Sequence, residues 1–310
     1  MAIKLPKLIA TSVVRGSVQG ESHGGIYTVD FETLEGQQHV DWNSSDIDFE
    51  GRGADRGLRG ITFDGDKIYI AASDELFCYD KNFNLLVSFK NRYLKHAHEI
   101  CRMNRRIFVS STGFDSLLAF NLDTKKFDWG FHLRQEYDKW TGGTFDPQRN
   151  KGPRDVNDFH INMVHVNDDG IFLSGLRTNS LLYLTPQNSI ERVCDLPSGT
   201  HNSRLWKDGI LFNDTASDCV RYVPQNDDEQ AYKIISYNES DIEYAGIDDS
   251  KIARQSFARG LCTIDERFIA VGSSPSTISL YDLENKQRVG TVNLSMDIRN
   301  AIHGLEVWPF

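Results

Sequence analysis

Residues 60–90 read GITFDGDKIYIAASDELFCYDKNFNLLVSFK. Four short runs rich in Ile, Phe, Tyr, Leu and Val, at 60–63, 67–73, 76–80 and 85–90, are separated by DGD, DE and KNFN. β-Branched and aromatic side chains suit a pleated, half-buried surface, and the intervening residues suit tight turns. The stretch therefore reads as four antiparallel strands joined by hairpins. Helical periodicity is nearly absent elsewhere, so recurrence of this unit decides the fold.

The unit recurs four times. HEICRM, RRIFVSST, SLLAFNLDT and KFDWGF form a second copy between residues 98 and 131. Further copies run from INMVHV at 161 to IERVCDL at 190–196, from NSRLW at 202 to YKIISY at 232–237, and from GLCTI at 260 to RVGTVNL at 288–294. The chain then ends on one lone strand, HGLEVWPF at 303–310, and begins with three others, KLIATSVV, GIYTVDF and QQHVDW. One strand plus three completes a sixth unit. The expectation is an all-β, six-bladed β-propeller of four-stranded antiparallel blades, a single domain over 1–310, whose last blade joins the C-terminal strand to three N-terminal ones. A seventh blade has no residues left to form it.

The chain has 310 residues, 39 % of them hydrophobic and 25 % charged, with a net charge of −10. An acidic balance argues against nucleic acid as a partner, since phosphates require a basic face. No run approaches the ~18 apolar residues of a membrane span, so no membrane partner is expected. The start, MAIKLPKLIATSVV, does not read as a signal peptide. The five cysteines are odd in number and widely spaced, and read as reduced core residues of a cytoplasmic protein.

Aligned on their second strands, the copies place Arg59, His98, Asn162, His201, Arg259 and His303 at the opening of the innermost strand. His96 and His160 lie two residues before His98 and Asn162. Residues two apart on a strand share a face, so these side chains are expected to converge at one mouth of the propeller axis. Six of the 9 histidines (His96, His98, His160, His165, His201 and His303) fall at or in innermost strands. A plain ring of polar residues holding water would also use such a pattern. The functional reading assigns a divalent transition metal (Fe, Mn, Cu or Zn) to His98, His160 and His201, with His303 as a fourth ligand or general base. Arg59 and Arg259 would clamp a small anionic substrate through their planar forks, and Asn162 and Asn202 would hold it further. His98 and His303 are the candidate catalytic residues. By strand parity Glu99 points away from His98, and His165 is structural. His23, His39 and His132 are expected in turns or outer strands, exposed to solvent.

The blade pattern resembles that of the six-bladed superfamily of gluconolactonases, strictosidine-synthase-like enzymes and NHL-repeat proteins. A histidine cluster around an axis also resembles the iron site of carotenoid oxygenases and the manganese sites of certain propeller lyases, which have seven blades. Gluconolactonases hold their cation mainly through carboxylate and amide oxygens. Histidine and arginine here depart from that set, which argues against lactonase chemistry and against calcium.

Three long connections, at 42–58, 131–158 and 239–257, are expected on the same mouth, with Tyr137, Trp140, Arg154 and Tyr244 as candidate lid residues. No G-x-S-x-G, Walker A or H-E-x-x-H motif is present. The sequence thus points to a metal-dependent oxidoreductase or lyase acting on a small anion, with oxidation favoured because no carboxylate base is evident among the ring residues. The alternatives are a peptide- or sugar-binding propeller without catalysis, and a metal-independent His/Arg lyase or hydrolase.

Overall fold

A computed structural model of the chain describes residues 5–18, 20–43, 57–247 and 253–310. The architecture is all-β, a six-bladed β-propeller of antiparallel sheets, with helix limited to short 3₁₀ turns among the described residues. The apolar runs become strands where the sequence placed them. In the first repeat these are Ile61–Asp64, Lys67–Ala72, Glu75–Asp80 and Leu85–Lys90, hydrogen-bonded in that order. The two middle strands are buried almost throughout and the last is largely exposed. A continuous apolar run marks a strand covered on both faces, and IYIAA and ELFCY read that way. Asp80 ends its strand by accepting the side-chain Nδ2 and the main-chain amide of Asn84 (both 2.9 Å) and the amide of Asn82 (2.8 Å), and these bonds hold its carboxyl below the usual carboxylate range.

By its internal contacts the chain divides into two compact units, 60–204 and 1–59 with 205–310. The 60–204 unit contains the second blade, which has five strands rather than four. Its order is Ala97–Met103, Arg106–Ser111, Ser116–Asn121, Lys126–Glu136 and Lys139–Phe145. This corrects the reading of 131–158 as one long connection. The fourth strand runs on past Phe131, turns at Tyr137 and returns as an extra outer strand. Gly142 permits the return, because a Cβ there would stand 2.2 Å from the Phe131 ring. Tyr137 sits at the hairpin tip, 99 % exposed, and Trp140 packs edge-on against Phe159 with ring centres 5.0 Å apart. Both belong to the outer edge of this blade, farthest from its innermost strand. The core of the unit is built on Tyr69, Leu76, Leu118 and Phe120 on one side of the blade and on Phe131, Val164 and Leu182 on the other.

The other unit contains the closing blade. Its order is Asn300–Val307, Leu8–Val14, Ser22–Asp30 and Glu35–Asn43, the C-terminal strand paired with the first N-terminal one as the sequence implied. Leu8 opposes Val307 and Ala10 opposes Leu305, and the Trp308 amide donates to the Lys7 carbonyl at 2.8 Å. Leu8, Val29, Ile278, Leu280 and Leu305 share one core cluster. His23, expected to be solvated, is fully buried. Its strand starts three residues earlier than expected, at Ser22, and its ring meets Trp42 edge-on. In the 239–257 connection, Ile242 and Ala253 pack on Ile298, and the Arg299 guanidinium covers the Tyr244 ring at 4.0 Å. Residues 44–56 and 248–252 of the expected lid connections lie outside the described residues. None of the five cysteines is in a disulfide, and no helix among the described residues is long and apolar enough to cross a membrane.

Candidate functional site

Strand parity fails at the residues of interest, and the reason is a shared irregularity. Between the pairs Ala97–Ser111 and Ile100–Val109 the innermost strand carries one extra residue, so His98 and Glu99 together oppose Ser110. The same shift occurs at Asn162, between Ile161 and Met163, and at His303, between Ile302 and Gly304. A bulge bends a strand and re-aims its side chains, so residues two apart no longer share a face. His96 and His160 stand immediately before their strands, both in the left-handed backbone region (φ +51° and +55°), and Asn202 is there too (φ +53°). Such conformations are uncommon outside glycine and occur often in functional segments.

Within the 60–204 unit His98, His160 and His201 share one hydrogen-bonding pattern. His98 Nδ1 lies 2.7 Å from the His96 carbonyl and 2.7 Å from Thr112 Oγ1. The Thr112 hydroxyl spends its one proton on the Ile161 carbonyl (2.6 Å), so the proton of the first contact belongs to the ring. His201 Nδ1 donates to the Gly199 carbonyl at 3.0 Å. His160 Nδ1 donates at 3.1 Å to Asn157 Oδ1, which also receives Arg177 Nη2 at 3.3 Å. With Nδ1 protonated, each neutral ring carries its lone pair on Nε2. The His98 and His160 rings are in contact, edge to face, with centres 5.2 Å apart. Among the described residues, no group of three or more His, Cys, Asp or Glu is gathered closely enough to hold one metal ion.

Two carboxylates shape this region: Glu99, which the sequence turned away from His98, and Asp115, which sequence reasoning missed. Glu99, turned by the bulge, accepts from Asn202 Nδ2, and its other oxygen lies 2.7 Å from where a Cβ would stand on Gly60. Glycine at 60 therefore makes room for it. Asp115 accepts the amides of Asp158 (2.6 Å) and Phe159 (3.0 Å) and, at 3.4 Å, that of Ile161. It thus fixes the main chain on both sides of His160. Burial pushes its carboxyl above the usual range while these amides pull it down. Asn162 is buried and donates Nδ2 to the Thr200 carbonyl (3.2 Å). Its Oδ1 has no hydrogen-bond partner among the described residues. His165 is half-buried on the same strand, and burial with the Arg204 charge pushes it down to about 4.

The remaining predicted residues belong to the 1–59/205–310 unit. Arg259 Nη1 donates to His303 Nε2 at 2.9 Å. That nitrogen is the one a fourth metal ligand would use, so here His303 serves as an acceptor for arginine. Arg59 is only 1 % exposed, and its carbonyl accepts Thr11 Oγ1 at 2.5 Å. The same hydroxyl receives the Gly304 amide at 3.0 Å, which ties the Arg59 backbone to the strand of His303.

No family model matches the chain, and no curated protein matches it. Solved structures do. The nidogen/laminin complex superposes with a TM-score of 0.59 at 8 % identity, over 97 % of this chain and 97 % of that one. A protein of unknown function from Bacteroides caccae gives 0.56 at 10 % identity, over 97 % and 98 %. A Bacteroides fragilis protein named provisionally as a 6-phosphogluconolactonase gives 0.50 at 12 % identity, over 95 % and 84 %. At these identities the likeness is one of fold.

Proposed function

We propose that the protein is an enzyme acting on a small anionic molecule, with a divalent transition metal (iron, manganese, copper or zinc) carried by His98, His160 and His201. The carrying observation is the His98–His160 pair, 5.2 Å between ring centres with Nδ1 of each ring held by an oxygen. An ion bound at about 2.0–2.1 Å through Nε2 stands roughly 3.2 Å from a ring centre, and two rings at the tetrahedral angle then have centres about 5.2 Å apart. Oxygen partners on the far nitrogen also set the tautomer and basicity a ligand needs. His201 offers the same tautomer from the neighbouring innermost strand. When bound, the ion supplies Lewis-acid or oxygen-binding chemistry.

The chain's own groups divide the remaining work. Thr112 and the His96 carbonyl hold the His98 ring, and Asn157 with Arg177 holds His160. Asn162 Oδ1 is a buried acceptor with a place for a substrate donor. A buried polar group of this kind costs stability unless something pairs with it. Glu99, steadied by Asn202, gives the site a carboxylate able to take a proton, so elimination and hydrolysis stand beside oxidation as reaction classes.

The lack of a gathered ligand triad among the described residues favours a second reading, in which the same Nε2 lone pairs serve as general bases without metal. Elemental analysis of tag-free protein separates the two. The metal reading expects close to one transition-metal ion per chain, lost in His98→Ala and His160→Ala. A parent protein that takes up none of the four metals supports the second reading.

A further inference from the structure

The outermost strands of the second and third blades, both within the 60–204 unit, flank a cleft of about 780 Å³, inside the range of about 300–1,000 Å³ typical of small-molecule sites. Lys139–Phe145 supplies one wall. Trp140 lies directly opposite Gln135 across the hairpin, so their side chains share a face, and Phe159 steadies the indole by its edge-on contact. Ile190–Asp195 supplies the other wall. This strand bulges at Val193, since Leu182 opposes Arg192 whereas Leu181 opposes Cys194. Strict alternation would put Arg192 and Asp195 on opposite faces. The extra residue brings both to the face of Ile190, where Arg192 Nη2 pairs with Asp195 Oδ1.

The lining narrows the ligand class. Lys139 and Arg192 bring two positive charges and Asp138 and Asp195 two negative ones, so the cleft carries no net charge and favours a neutral ligand over an ion. Hydrogen-bonding groups are dense. The side chains of Gln135 and Asn179 make no hydrogen bond among the described residues, and each amide offers donors and an acceptor together. Asn179 is held in the left-handed region (φ +48°), and its carbonyl accepts the Leu196 amide at 3.0 Å, which fixes it at the cleft edge. The Arg192–Asp195 pair has side chains 55 % and 74 % exposed, so further donors and acceptors of both groups face outward. Half-buried Trp140 adds an aromatic surface among these polar groups. A molecule with an apolar ring face and a rim of hydroxyls matches this set, because hydroxyls both donate and accept and ring C–H groups suit an indole.

We propose that this cleft is a binding site for a neutral saccharide, with one sugar ring on Trp140 and hydroxyls taken by Gln135, Asn179 and the Arg192–Asp195 pair. The wall from Ile190 to Asp195 extends roughly 15 Å, longer than one pyranose ring, so it suits an oligosaccharide rather than a free sugar. The cleft stands on outermost strands, whereas His98 lies on an innermost one. Saccharide binding there needs no metal at His98, so the two proposals stand or fall separately.

The test is binding of the full chain to an array of neutral linear oligosaccharides (α- and β-glucans, xylans, mannans and N-acetylglucosamine oligomers), with polygalacturonate and chitosan as anionic and cationic probes, followed by calorimetric titration of the best binder. At least one neutral glycan should bind, and the charged probes should bind at least about 10-fold more weakly. Trp140→Ala should weaken binding on the order of 10- to 100-fold, as loss of an aromatic anchor does. Gln135→Ala and Asn179→Ala should each weaken it about 3- to 10-fold, one hydrogen-bonding group apiece. Both residues are exposed, so these two variants keep the measurement decisive should Trp140→Ala fail to fold by circular dichroism. Lys286→Gln, in the other unit, should change nothing. No binding of any neutral glycan, tighter binding of a charged one, or cleft variants that bind like the parent would overturn the proposal.

Discussion

Replacing Asp115 by alanine should loosen His160 without altering any imidazole. The carboxylate accepts two main-chain amides at 2.6 and 3.0 Å, and the third at 3.4 Å is marginal. Hydrogen bonds to a charged acceptor contribute about 1.5–3 kcal/mol each, so the two short ones represent roughly 3–6 kcal/mol. Burial of the carboxylate, visible in its raised pKa, offsets part of this. The net loss in Asp115→Ala should be about 2–4 kcal/mol, and in Asp115→Asn, which keeps one carbonyl oxygen, about 1–2 kcal/mol. Urea unfolding followed by tryptophan fluorescence is the assay, since Trp140 packs on Phe159 within the segment that Asp115 orders. Zinc affinity, measured on the same variants, should fall on the order of 10-fold, because a displaced ligand backbone costs what a lost orienting partner does. An alanine variant within about 0.5 kcal/mol of the parent, with unchanged zinc affinity, would refute the reasoning.

Two further perturbations have definite signs. His165 is pushed from its ordinary value of 6.5 down to about 4, so between those values the unfolded chain binds more protons than the folded one. Stability should fall as pH drops through that window, by at most about 3 kcal/mol from this group. His165→Gln should flatten that part of the pH profile, and an identical profile would show that the ring titrates normally. Deleting residues 303–310 removes the partners of Leu8, Ile9, Ala10 and Thr11 and exposes the edge of a buried strand. The truncated chain should lose its cooperative melting transition, and an unchanged melting curve would count against the closing blade.

The fold was legible because its signal is local and repeated. Each blade carries its own alternation of apolar strands and turn residues, and the lone HGLEVWPF paired where the strand count required. The extension of the fourth strand past Phe131 and the returning strand Lys139–Phe145 were missed because their charged, glycine-containing residues bury little and carry weak β signal. At the site, residue types were legible and directions were not. Parity assigned Glu99 to the side away from His98, whereas the bulge at 98–99 turns its carboxylate to Asn202. A one-residue register shift leaves no mark in composition, so no sequence pattern would have placed Glu99, or brought Asp115 to the amides flanking His160. The adjacency of Arg259 and His303 was foreseen from blade order, but the hydrogen bond that occupies Nε2 depends on side-chain reach.

The central claim is that imidazole nitrogens of His98 and His160 bind one ion. X-ray absorption at the metal edge of zinc- or cobalt-loaded protein counts those nitrogens directly. The account predicts at least two imidazoles at about 2.0–2.1 Å in the parent and one fewer in His160→Ala. A spectrum fitted by oxygen ligands alone, or one unchanged by His160→Ala, would contradict it.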